Sequence, residues 1–338
     1  MSGSDISTRI TDALDETAAL SLLRGAVSIE SITGNEADFA QHLYLLMLDR
    51  EFQTDQAEFL PGRPNVWGHR RGNGTGPHLL ITGHTDTVRV DGWQERWAGS
   101  ERESPFEGAE VDGAIWGRGV TDLKGGICTA FAALDVLKTA GIKLAGDISF
   151  AFIGDEESGE DGTGVSVGIE HYTNMIAVGD LPKPDFAVYV EPTQLDIYAA
   201  QIGFFIADVT VTGTSAYFSH PELGVDALKA AHSILTSVWE HGETLRGRDP
   251  HPLTGLSGLL VTGIEAGGLI AVPGTSKFSV IGSLQSGEDF HERTQAFETA
   301  VHSATVASGI IVEISYPAGR DQPRGGSACE VNPTHLPL

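Results

Sequence analysis

Four short apolar runs before residue 195 each give way to a carboxylate or an imidazole, and that repeat constrains the fold more than any other feature of the chain. HLLIT (78–82) leads to His84 and Asp86, and DISFAFI (147–153) leads to Glu156 and Glu157. FAVYV (186–190) leads to Glu191, and WGRGVTDLKGG (116–126) carries Asp122. Runs of this length bounded by Gly and Pro are the pattern of buried strands. Helical spacing separates them: Ser7–Ser28 repeats Ile10, Leu14, Ala18 and Leu22 at intervals of four, a second helix is expected from Asn35 or Glu36 to Leu48, and a third over Gly126–Ala140. The alternation predicts an α/β fold whose first domain holds a mainly parallel sheet. Strands of one open sheet end at a common rim, where ligands of such folds bind.

The pattern changes after residue 196. Strands are expected over Ile202–Thr212, Ser257–Glu265, Lys277–Leu284 and Ile310–Ser315, with helices over Gly224–Glu240 and Asp289–Ser308. The order βαββαβ is complete in itself and reads as an inserted ferredoxin-like domain. The chain is therefore expected to divide into a first domain over 1–196, an inserted domain over 197–316 and a short last segment over 317–338. That last stretch, rich in Pro and Gly, reads as a loop.

Composition excludes several function classes. With 46 acidic and 21 basic residues in 338 the formal net charge is −25, so phosphate backbones and anionic membranes are repelled over most of the surface. Nucleic acid and membrane are not expected partners. Cys128 and Cys329 are too few for a disulfide framework or a thiolate metal cluster, which fits a cytoplasmic setting. No apolar run approaches the length that spans a bilayer.

Five acids and one imidazole at one rim repel each other unless cations or shared protons hold them. A divalent metal is the simplest resolution, and mixed imidazole and carboxylate donors suit zinc, cobalt or manganese. Taken singly, an H-x-D at a strand end is a capping turn and D-E-E a solvated acidic loop. The four together outweigh that reading. The other hydrolytic signature, GVSVG at 164–168, follows a Gly-rich acidic loop rather than a strand, so Ser166 lacks the setting of a serine nucleophile.

GHTDTV, WGRGVTDLKGG, GDEESG and VEPT, in this order and followed by a βαββαβ insertion, resemble the zinc metallopeptidase family of acetylornithine deacetylase, succinyl-diaminopimelate desuccinylase, aminoacylase and carboxypeptidase G. The resemblance implies that His84 and Glu191 hold one zinc, that Glu157 holds the other, and that Asp122 bridges them. It implies Asp86 as the carboxylate that orients His84, and Glu156 as general base. The implied activity is hydrolysis of an N-acyl amino acid or short peptide by a zinc-activated water, with 1–196 as catalytic domain, 197–316 as lid or dimerisation domain and 317–338 as the truncated start of a return to the first domain. The helix 224–240 and the strand 202–212 offer an exposed edge, through which a homodimer is expected. Three departures stand out. A second-site histidine expected from a later segment is absent, and His335 reads as an ordinary loop residue. GTSAYFSHP places Tyr217 where the family carries histidine, with His220 near it, so these two are candidate oxyanion or substrate donors. GGLIAVP lacks an asparagine. The alternative is a chain that keeps the fold, binds metal as a dimer and catalyses little or nothing.

Overall fold

Alternate residues of DISFAFI point to opposite sides of a strand, so an unbroken apolar run requires cover on both faces. The structure, a computed structural model that describes residues 3–157, 166–316 and 324–330, supplies that cover. It divides into two units, Met1–Leu195 and Asp196–Leu338.

The first unit runs α1 (Gly3–Asp12), α2 (Glu16–Val27), α3 (Ala37–Asp49), β1 (Gln53–Leu60), β2 (Arg63–Arg70), β3 (Gly76–His84), α4 (Trp93–Trp97), β4 (Ala109–Val111), β5 (Ala114–Trp116), a single π turn (Val120–Lys124), α5 (Gly125–Thr139), β6 (Gly146–Ile153), α6 (Val167–Val178) and β7 (Phe186–Tyr189). Five strands form one sheet in the order β1-β2-β6-β3-β7. Ile148, Phe150 and Phe152 of β6 join the core that holds Ala26 of α2, Phe39 and Leu43 of α3, and Phe131 of α5. Ala151 and Ile153 join Trp67, Leu80 and Tyr172 of α6 on the other side.

Three expectations are corrected here. The sheet is mixed rather than mainly parallel: β3 pairs with β6 and β7 in parallel, but β2 pairs antiparallel with both β1 and β6. The expected helix over Ser7–Ser28 is two helices. Asp15 lies in extended conformation between them and its carboxylate accepts the Ala18 N–H at 2.9 Å, so it starts a new helix instead of continuing the first. Asp122 does not end a sheet strand. It lies at a kink ahead of α5 with extended backbone (φ −124°, ψ 92°), preceded by β4 and β5, which form a separate two-stranded sheet.

The second unit runs β8 (Ala200–Gln201), β9 (Gly203–Thr212), α7 (Ala227–Arg246), β10 (Gly258–Ala266), β11 (Thr275–Leu284), α8 (Phe290–Ser303), β12 (Ile311–Ser315), β13 (Arg324–Gly326) and β14 (Cys329–Glu330). Its antiparallel sheet has the order β10-β11-β9-β12. β9 alternates strictly between buried and half-buried positions, and Phe205, Ala207, Val209 and Val211 pack against α7 and α8. This strand is interior. β11 lines one side of it while β12 and β13 share the other, so it offers no free edge for pairing between copies, contrary to expectation. Nor are residues 324–330 plain loop: β13 pairs with β9, and β14 with β8. His335 lies outside the described residues.

Candidate metal centre

His84 is the last residue of β3, opposite Ile153 of β6, and the strand end buries it to 1% exposure. Its Nδ1 donates to the backbone carbonyl of Asp86 at 2.8 Å, which leaves Nε2 aimed outward. There Nε2 meets Asp122 Oδ1 at 2.9 Å, Glu191 Oε1 at 3.8 Å and Glu156 Oε2 at 4.0 Å. Two sets of donor atoms lie close enough for an ion: His84 with Asp122 and Glu191, and His84 with Glu156 and Glu157. Asp122 also hydrogen-bonds Glu157, so it touches both sets.

The Asp86 side chain pairs with the imidazole and also holds the acidic loop. Its Oδ1 stands 3.7 Å from His84 Nδ1, whose proton goes to the Asp86 main chain instead. Both carboxylate oxygens accept the N–H groups of the acidic loop, Glu156 at 3.2 Å and Glu157 at 2.9 Å, while Thr33 Oγ1 adds a third bond at 3.0 Å. Asp86 thus fixes His84 through its carbonyl and the loop through its side chain.

Close packing brings Asp122 and Glu191 to the same place. A Cβ on Gly126 would overlap the Val190 carbonyl oxygen, so only glycine lets the first turn of α5 lie against the chain that carries Glu191. The Lys124 side chain in the same motif turns inward. Its Nζ donates to the Ala26 and Ile29 carbonyls and stands 4.4 Å from the Phe39 ring centre, and burial lowers its pKa to about 8.

The cluster holds protons to limit its own repulsion. Burial pushes the Glu157 carboxyl up to about 7, with the neighbouring Asp122 charge adding to the effect. Burial likewise raises Glu156 and Glu191. For His84, burial opposes the imidazolium, but the Asp122 hydrogen bond and the charges of Asp86 and Glu156 prevail and raise it to about 9. That hydrogen bond holds Asp122 below the usual carboxylate range. Such a donor set fits a divalent ion, which would replace the shared protons with positive charge.

Tyr217 and His220 belong to the second unit. Tyr217 is 55% exposed and its ring lies tilted at 56° against that of Phe218, while His220 pairs with Glu222 at 3.2 Å. Their loop lies along the GGLIAVP segment: Phe218 N–H donates to the Ile270 carbonyl and Val272 N–H to that of Ala216. The two altered motifs are therefore neighbours. Ser166 precedes α6 and its N–H binds the Asp155 carbonyl; among the described residues no hydrogen bond joins its hydroxyl to a histidine. Nothing in the sequence marks Thr33, Arg63 or Asn65, whose contacts with the acidic loop depend on tertiary structure alone, nor Glu36, which is tied to that loop through Arg63.

Among the described residues no helix is long and apolar enough to cross a membrane. Two curated relatives are 32% identical over 210 residues, a succinyl-diaminopimelate desuccinylase of Methylobacterium, and 33% identical over 177 residues, an acetylornithine deacetylase of Proteus mirabilis. The alignments cover 60% and 52% of this chain but 50% and 40% of those proteins, so the chain spans about half the length of the curated relatives it matches. In fold it is similar to a tripeptidase of Staphylococcus aureus, with TM-score 0.66 and 18% identity over 94% of this chain and 78% of that one. It is also similar to a dinuclear metal-binding peptidase of Bacillus subtilis, with TM-score 0.57 and 13% identity over 94% and 76%. Residues 80–308 match the peptidase family M20/M25/M40 as a whole. Since that stretch starts within β3 and ends beyond α8, it takes in the entire carboxylate rim, and the chain belongs to the M20/M25/M40 peptidase family.

Proposed function

We propose that the chain hydrolyses the amide bond of an N-acyl amino acid or short peptide with the help of divalent metal, zinc being the first choice and cobalt or manganese alternatives. The observation that carries this reading is the convergence of His84 Nε2 with Asp122, Glu156 and Glu191 within 4.0 Å at one sheet rim. His84 and Glu191 would hold one ion and Glu157 a second, with Asp122 between them. When bound there, such an ion polarises a carbonyl and acidifies water.

Glu156 is the base. Its side chain keeps 46% of its surface exposed, so water and substrate reach it, and its raised pKa brings it nearer to neutrality than an ordinary carboxylate. Water adds to the amide carbon as its proton passes to the Glu156 carboxylate. The C–N bond then breaks, the proton moves to the leaving nitrogen, and acid and amine depart. Asp86 and Thr33 hold the main chain of Glu156 and Glu157 so that the two carboxylates differ in task. Tyr217 and His220, exposed in the second unit, are candidate hydrogen-bond donors to a substrate or oxyanion.

Glu156→Gln keeps shape and removes the base. On a panel of N-acetyl and N-succinyl amino acids and dipeptides it should lower turnover by at least ~100-fold with metal content unchanged. Full turnover in Glu156→Gln would overturn the mechanism, and a metal-loaded wild type inert on the whole panel would leave only the metal-binding reading.

A further inference from the structure

The acidic loop is held on a second side, away from the metal donors, by a charged cluster built around Arg63. This residue opens β2, and its guanidinium is buried between two carboxylates that are themselves fully buried, Glu36 and Asp155. Nε and Nη2 grip Glu36 at 2.9 and 2.5 Å as a fork, and Nη2 also binds Asp155 Oδ1 at 2.8 Å. Asp155 immediately precedes Glu156. It has φ 70°, a left-handed conformation that costs a non-glycine residue energy unless its surroundings impose it. The surroundings here are specific: Oδ1 takes Arg63, Oδ2 takes Val167 N–H at 3.2 Å, and the carbonyl takes Ser166 N–H at 3.0 Å. That turn aims the N–H groups of Glu156 and Glu157 at Asp86.

The other arm of the cluster arrives at the same loop. Glu36 Oε1 accepts the Gly34 N–H at 3.0 Å, and the adjoining Thr33 hydroxyl bonds both the Glu157 carbonyl at 2.5 Å and Asp86 at 3.0 Å. One guanidinium therefore ties together the turn that holds Glu157 from one side and the residue that presents Glu156 from the other. No second cation contacts Glu36 or Asp155 among the hydrogen bonds and ion pairs of the described residues.

We propose that Arg63, through its fork on Glu36 and its bond to Asp155, is a positioning residue that sets where the Glu156 and Glu157 carboxylates stand. This rests on the reading of Glu157 as a metal donor and Glu156 as a base. Arg63 touches neither substrate nor ion. Lysine cannot replace it, since an ammonium keeps the charge but not the planar fork that reaches both carboxylates.

The test compares Arg63→Lys with Arg50→Lys in the full 338-residue chain. Arg50 makes a similar fork on Asp135, at 2.9 and 2.6 Å, in the same unit but without contact to the acidic loop, so it controls for the loss of a fork as such. Cobalt(II) titration, followed by visible absorption, reads the donor set without any turnover. Arg63→Lys should weaken cobalt binding at least about tenfold and lower kcat by at least about tenfold with KM nearly unchanged, as loss of an outer partner of metal ligands does. Arg50→Lys should leave both within about twofold. Cobalt affinity within about twofold of wild type in Arg63→Lys, or equal losses in the two variants, would overturn the proposal. A wild type that binds cobalt but hydrolyses nothing refutes the hydrolase reading alone, and the titration still decides this one. Should Arg63→Lys not fold, Glu36→Gln, isosteric and uncharged, takes its place with the same expected direction and the same overturning result.

Discussion

His84 and Glu157 hold their protons more tightly in the folded, metal-free chain than they would when unfolded, since their pKa values are raised to about 9 and about 7. For both groups the protonated form is the one favoured by folding. Their contribution to stability is therefore full below the unfolded values and is lost as pH rises, through about 7 for Glu157 and about 9 for His84. Metal reverses the dependence, because each donor must shed its proton to bind. The rise in Tm produced by zinc should consequently be larger at about pH 9 than at about pH 6, and proton release should make the calorimetric heat of zinc binding vary with the buffer. An equal rise in Tm at both pH values, with heats independent of buffer, would show that the cluster is not protonated as described.

Among the elements, the contact between α5 and the chain after β7 sets how far Asp122 stands from Glu191. Gly126→Ala forces a methyl group into the Val190 carbonyl, so α5 must shift at a cost of about 1–3 kcal/mol, read by urea denaturation. Zinc binding should weaken with it; unchanged affinity would mean that α5 does not position Asp122. Elements of this kind differ in how far the sequence betrays them. β6 was legible because burial on both faces leaves an apolar run that nothing else explains, and α5 because its small residues repeat at helical spacing. β1 was not: no residue of QTDQAEFL is buried, half being exposed and half partly covered, and it becomes a strand by backbone pairing with β2. With β1 and the antiparallel sense of β2 hidden, the sheet read as more parallel than it is. β13 and β14 escape for the same reason, since pairing on β9 and β8 needs main chain only. In the site, the acids and His84 were legible because like charges gathered at strand ends demand a cation. Arg63 was not, because its partners lie 27 and 92 residues away along the chain.

At the scale of the whole molecule, the two units build their cores on different schedules. In the first, β1 and β2 are joined by a tight turn at Pro61 and Gly62 and can pair as soon as both exist. In the second, β9 comes early and lies at the centre of its sheet, yet its partners begin only at Thr275, Ile311 and Arg324. Closing such long loops is slow, so in pulsed hydrogen exchange during refolding the β9 amides should gain protection after those of the β1–β2 hairpin. Simultaneous protection would contradict this. On a ribosome the same topology leaves β9 waiting, with both of its hydrogen-bonding sides unpaired, while the rest of its sheet is still being made. The next α-helix to emerge is α7, whose Ala230, Ala231, Ile234 and Val238 pack with Phe205, Val209 and Val211 in the finished core. A nascent chain can therefore shelter the apolar face of its central strand under a helix before any strand arrives to pair with it.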